Sequence, residues 1–108
     1  METTKVLKGF ARVSFSNKVW ELFGNKLVAT HGFTAIDAAS EVARLKLELE
    51  KQDLIFKPES INKQHFFKYT RIGLRKPIDR RERLSMFLTF ERCLSHVATA
   101  TMSNLEAI

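Results

Sequence analysis

Seven basic side chains fall within KYTRIGLRKPIDRRERL, residues 68–84: Lys68, Arg71, Arg75, Lys76, Arg80, Arg81 and Arg83, opposed only by Asp79 and Glu82. Ammonium and guanidinium groups at this density suit one task above others, which is to displace counterions from a polyanion and hydrogen-bond its phosphates. Tyr69 and Phe67 add rings that stack on bases wherever their face is open. A catalytic use of the neighbourhood is also open. Metal-independent RNA cleavage needs a group that moves protons and a cation that holds charge on the phosphate, and His65, Lys68, Tyr69 and Arg71 are residues of those types. Nothing in their spacing fixes a geometry, so no catalytic residue is assigned.

The charge is segregated. From Lys57 to Arg83 there are nine Lys/Arg against three acids, which is the entire net charge of +6; the other 81 residues balance nine basic against nine acidic side chains. A merely solvated surface needs no such separation, whereas phosphate neutralisation scales with the number of local cations.

Other chemistries find little support. His31, His65 and His96 share no metal-ligand spacing, and the lone Cys93 cannot complete a zinc set. There is no phosphate-cradling glycine loop and no nucleophile elbow. Neither a metal nor a cofactor is expected. One cysteine forms no internal disulfide, so a reducing cytoplasmic setting is expected, with Cys93 packed in the core. METTKVLKGF lacks the apolar run of a secretory leader, and no segment approaches the ~18 apolar residues of a membrane span.

The elements that must position these residues read as an α+β fold. One compact domain over 1–108 is expected, with flexible ends at 1–6 and 103–108. Alternation in KVLKGFARVSF, a turn at Asn17-Lys18 and a hairpin signal at Gly24-Asn25 predict a three-stranded meander over about 9–16, 19–23 and 26–31. The rival is a helix through VWELFGNKLV, set aside because Gly24 would cost about 1 kcal/mol relative to alanine. Residues 34–52 predict a helix with Ala35, Ala38, Ala39, Val42, Leu45 and Leu49 on its apolar arc and Glu41 opposite. Thr34 with Asp37 gives its start signal. HFFKYTRI, about 65–72, predicts a fourth strand, and a second long helix runs from about 79 to 102. On that helix Met86, Phe87, Phe90, Cys93, Leu94, Val97 and Ala98 face the core, Ser85, Thr89, Arg92 and His96 form a polar edge, and Leu84 and Leu88 lie just outside the apolar arc. Arg80, Arg81 and Arg83 stand in its first turn, where the helix dipole disfavours cations; an anion met there would reverse the penalty. The order is β-β-β-α-β-α.

The first half carries a resemblance. Trp20 in the second expected strand, the Gly24 turn and the run Gly32, Phe33, Thr34, Ala35, Ala38, Ala39 entering the helix make residues 9–49 similar to the AP2/ERF-type DNA-binding domain and the arm-binding domains of tyrosine integrases. The resemblance implies three antiparallel strands, one packed helix and a sheet face that enters a DNA groove. That face is arginine-rich in the family; here it offers only Arg12, Lys18 and Lys26, with Glu21 among them.

The function expected from the sequence is therefore non-enzymatic nucleic-acid binding, with DNA ahead of RNA. It would suit a small regulator or accessory factor of a phage, plasmid or other mobile element. Arg71, Arg75, Lys76, Arg80, Arg81 and Arg83 would carry affinity together with Lys68, and Tyr69, Arg12 and Lys18 would add discrimination. Leu84 and Leu88 allow a homodimer. The alternative is an inhibitor or adaptor that docks its basic segment on an acidic protein, and the second alternative is a metal-independent ribonuclease toxin.

Overall fold

A computed structural model describes the backbone of residues 10–69 and 79–107, and the side chains of 12–68 and 79–100. Four α-helices make up the described architecture: α1 (Phe10–Ala29), α2 (Ala35–Glu50), α3 (Lys63–Tyr69) and α4 (Arg80–Ala107), with one 3-10 turn at Pro58–Ser60. Among the described residues there is no strand. The expected α+β order is thus overturned, and with it the AP2-like sheet.

The reason lies in α1. Phe15, Val19, Phe23 and Leu27 recur every four residues, with Ser16 and Trp20 beside them, and all six are buried. A strand would send alternate residues to opposite faces, while a helix gathers these six on one. Each large apolar side chain moved out of water contributes about 1.5–3 kcal/mol, which outweighs the roughly 1 kcal/mol cost of Gly24 in a helix. The close approach of α2 does not require the glycine, since a methyl group built on Gly24 would meet Val42 Cγ2 at 3.6 Å, an ordinary contact.

The turn into α2 uses Gly32 in the left-handed region (φ 74°), and Phe33 N–H donates back to Leu27 O at 3.0 Å. Thr34 caps α2 as expected, its hydroxyl accepting from Asp37 N–H at 3.1 Å. The buried face of α2 is Ala38, Glu41, Leu45 and Leu49, rotated from the expected arc. Ala39 stays exposed, and Glu41, expected on the solvent side, points inward. The rotation follows from packing against both α1 and α3 instead of one flat sheet. At its C-terminus α2 closes with Leu54 N–H on Leu49 O (2.9 Å) and Asp53 N–H on Glu50 O (3.1 Å). Asp53 takes the left-handed conformation (φ 60°) that glycine usually supplies.

α3 replaces the expected fourth strand over Lys63–Tyr69; residues 70–72 of that strand lie outside the described residues. Asn62 starts the helix. Its side-chain oxygen accepts from Gln64 N–H (3.0 Å) and its own N–H donates to His65 Nδ1 (3.0 Å), a reciprocal cap.

The core sits where α4 crosses α1 and α3. Phe90 is its centre, with ring centroids 5.0 Å from Trp20, 5.5 Å from Phe23 and 5.4 Å from Phe66. The Phe23 pairs with Phe66 and Phe90 are edge-to-face, the arrangement aromatic quadrupoles favour. Met86, Phe87, Cys93 and Val97 complete the buried face of α4, as the sequence predicts. Thr89, expected on the polar edge, is instead buried and hydrogen-bonded to His31 Nε2 at 2.8 Å.

Candidate nucleic-acid interface

The described part of the basic segment, Lys68 and residues 79–84, stands where the C-terminus of α3 meets the N-terminus of α4. Phe67 organises the junction. Arg83 Nη1 donates to Phe67 O at 2.8 Å, and the Arg80 guanidinium lies 4.9 Å from the centre of the Phe67 ring. Arg83 is therefore a cation set against the carbonyl end of α3, where the dipole favours one. The α4 end is capped by Asp79, whose carboxylate accepts from Glu82 N–H at 2.8 Å. A helix start crowded with arginine is tolerable because one arginine serves the neighbouring helix and an aspartate caps the other.

The ten residues expected to bind nucleic acid separate into distinct groups. Arg80 and Arg81 are exposed, and no carboxylate among the described residues pairs with either. Lys68 is exposed in the last turn of α3. Arg83 is part-buried and committed to the junction. Arg12 lies elsewhere and is committed too: its Nη1 contacts Glu59 Oε2 and Phe56 O, each at 2.8 Å. It pins the connector after α2 onto α1, helped by the buried Ser16 hydroxyl donating to Ile55 O at 2.5 Å. Lys18 is exposed on α1. Arg71, Arg75 and Lys76 lie outside the described residues, as does the side chain of Tyr69.

The aromatic pair divides as well. Phe66 is fully buried in the core, while Phe67 is half-buried beneath Arg80. His65 sits at the start of α3 with Nδ1 engaged by the Asn62 N–H, so its ring helps cap the helix.

Three titratable groups depart from their ordinary behaviour. Glu41 is buried with neither carboxylate oxygen hydrogen-bonded among the described residues. Burial pushes its carboxyl up to about 7 against the weaker pull of Arg44 and Arg83. Burial lowers the His31 imidazole, with Glu82 opposing, and raises the Cys93 thiol, with Lys26 opposing. Cys93 is thus held as a neutral thiol, poorly suited to nucleophilic work.

A second cationic feature escaped the sequence reading. Leu22 and Lys26 from α1, with Thr30 just past its end, face Thr89, Arg92, Cys93 and His96 from α4 across a groove of about 320 Å³. The i, i+4, i+8 spacing of Leu22, Lys26 and Thr30 was present in the sequence, but it marks one face only if that stretch is helical.

Among the described residues no three His, Cys, Asp or Glu side chains form a metal-binding group, and no helix is long and apolar enough to cross a membrane. Comparison of the chain with models of known protein families, with curated proteins and with solved structures gave no match.

Proposed function

We propose that this protein binds nucleic acid without cleaving it, using the end of the helical assembly where α3 meets α4. The observation that carries the reading is the concentration of the whole net charge of +6 between Lys57 and Arg83. The exposure of Arg80 and Arg81 without carboxylate partners supports it. In this reading Arg80, Arg81 and Lys68 contact phosphates, and Arg71, Arg75 and Lys76 add to the same field from the adjoining segment. Arg12 and Arg83 stay with their structural partners. Duplex DNA is the favoured ligand, and the exposed pair Leu84 and Leu88, 40% and 44% accessible and one helical turn apart, offers an edge for a second copy.

The test is a double charge reversal, Arg80→Glu/Arg81→Glu, which leaves the Arg83 bond to Phe67 in place. Binding to labelled DNA and RNA, duplex and single-stranded, is followed across salt concentrations. Each phosphate contact contributes about 0.9 to the log–log salt slope on duplex DNA, so the folded variant should lose a slope of about two and most of its affinity. Absence of binding by the wild type at low salt would discard the proposal. Capture of one acidic protein in its place would favour the adaptor reading, and RNA degradation lost on His65→Ala would favour the ribonuclease.

A further inference from the structure

We propose that the groove between α1 and α4 is a binding site for a small phosphate-bearing molecule, separate from the basic α3–α4 end. Two cations reach it from opposite helices, Lys26 from α1 and Arg92 from α4, and His96 stands one turn beyond Arg92. Among the described residues no carboxylate lines the groove, and none pairs with Lys26 or Arg92. Cations spread over a convex surface are each solvated alone. Cations facing each other across a concave wall repel, and a shared anion relieves that repulsion.

The rest of the lining fits a phosphate. An arginine fork takes two phosphate oxygens together, and a lysine adds a point charge. Thr30 brings a hydroxyl, and Thr89 brings another that is fixed by His31 at 2.8 Å. When His31 Nε2 is the donor in that bond, the Thr89 proton is left for the ligand. Leu22 and Cys93 form the apolar part of the wall. A volume of about 320 Å³ exceeds what inorganic phosphate fills and stands at the small end of ligand pockets. The ligand class is therefore a phosphomonoester whose organic group lies on Leu22 and Cys93. Glu91 belongs to the adjoining shallow groove with Leu88, Arg92 and Ser95, and it limits how far the anion extends toward that side.

The experiment is titration of the full chain with adenosine monophosphate and with inorganic phosphate, followed by calorimetry and by amide chemical shifts, with sodium chloride matched for ionic strength. Saturable one-to-one binding, with shifts at Lys26, Thr30, Thr89 and Arg92, is expected, and adenosine monophosphate should bind more tightly than phosphate. Lys26→Gln/Arg92→Gln should weaken it roughly tenfold or more, since each charge-assisted contact is worth about that factor. Both residues are exposed, so the fold should survive, and Arg92→Gln alone serves as a milder variant. The Arg80→Glu/Arg81→Glu variant should bind the mononucleotide as the wild type does, whether or not it has lost long nucleic acid. Non-saturating shifts matched by sodium chloride, unchanged affinity in the Lys26/Arg92 variants, or loss of binding in the Arg80/Arg81 variant would each overturn the assignment.

Discussion

Replacing Glu41 by glutamine should remove a pH dependence that the wild-type fold carries. Glu41 lies on the buried face of α2 beside Ala38 and Leu45, with 1% of its surface accessible and neither oxygen hydrogen-bonded among the described residues. Its carboxyl is raised from 4.5 to about 7 in the folded protein. Because the folded state holds the proton more tightly than the unfolded chain, the stabilisation is complete below pH 4.5. It falls as pH rises from there to about 7, then stays constant. At about 1.4 kcal/mol for each factor of ten in proton affinity, the ionised fold is disfavoured by about 3 kcal/mol. His31 works in the opposite direction. Its imidazole is lowered by burial, so it contributes stability that is present above its unfolded value and lost as pH falls. Wild-type stability alone would mix the two, so the quantity to measure is the difference between wild type and Glu41→Gln at each pH. Urea unfolding followed by far-ultraviolet circular dichroism gives it. The variant should gain about 3 kcal/mol on the wild type between pH 4.5 and about pH 8, and Glu41→Met should show the same trend while removing the buried polar atoms altogether. A difference that stays flat with pH would refute the reasoning. A glutamine variant that is less stable in alkali would show that ionised Glu41 gains more from Arg83 and Arg44 than burial takes away.

Two substitutions at backbone-sensitive positions should stabilise the protein. Gly24→Ala adds a methyl group at ordinary contact distance from Val42 and removes a helix-interior glycine; a gain of about 0.5–1 kcal/mol in urea unfolding is expected, and a loss would mean that α1 and α2 pack more tightly than 3.6 Å implies. Asp53→Gly relieves a left-handed aspartate at the end of α2 and should also gain about 0.5–1 kcal/mol, read as a raised unfolding midpoint with unchanged denaturant dependence.

The long amphipathic segments were legible in the sequence. Thr34 and Asp37 marked the start of α2, and Met86, Phe87, Phe90, Cys93 and Val97 marked the inner face of α4, because each pattern repeats over several turns without contrary punctuation. α1 was not legible in the same way. Ala11, Val13 and Phe15 alternate like a strand, and Asn17-Lys18 and Gly24-Asn25 look like turns. Those local signals are individually worth about 1 kcal/mol or less. The Phe15, Val19, Phe23, Leu27 series is worth several times that, but only once α4 supplies Phe90 to pack against. α3 was hidden by its aromatic, strand-like composition, although Asn62 and His65 form its cap within three residues. The basic segment was visible as charge. Which of its arginines are spoken for was not, because Arg83 donates to the carbonyl group of Phe67, and a backbone acceptor leaves no trace in side-chain composition.

Trp20 gives the molecule a built-in optical reporter. It is the only tryptophan in the chain, it is 2% exposed, and its indole N–H has no hydrogen-bond partner among the described residues. An indole in so dry a setting emits at short wavelength, and the emission moves to the red when water reaches the ring. The ring touches Phe23 within α1 and Phe90 on α4, so its colour reports the joining of segments that lie far apart along the chain. Helix content reports local order. If both signals change together during unfolding, the helices and their junction form one cooperative unit; if the emission shifts first, helices persist after their common core has opened.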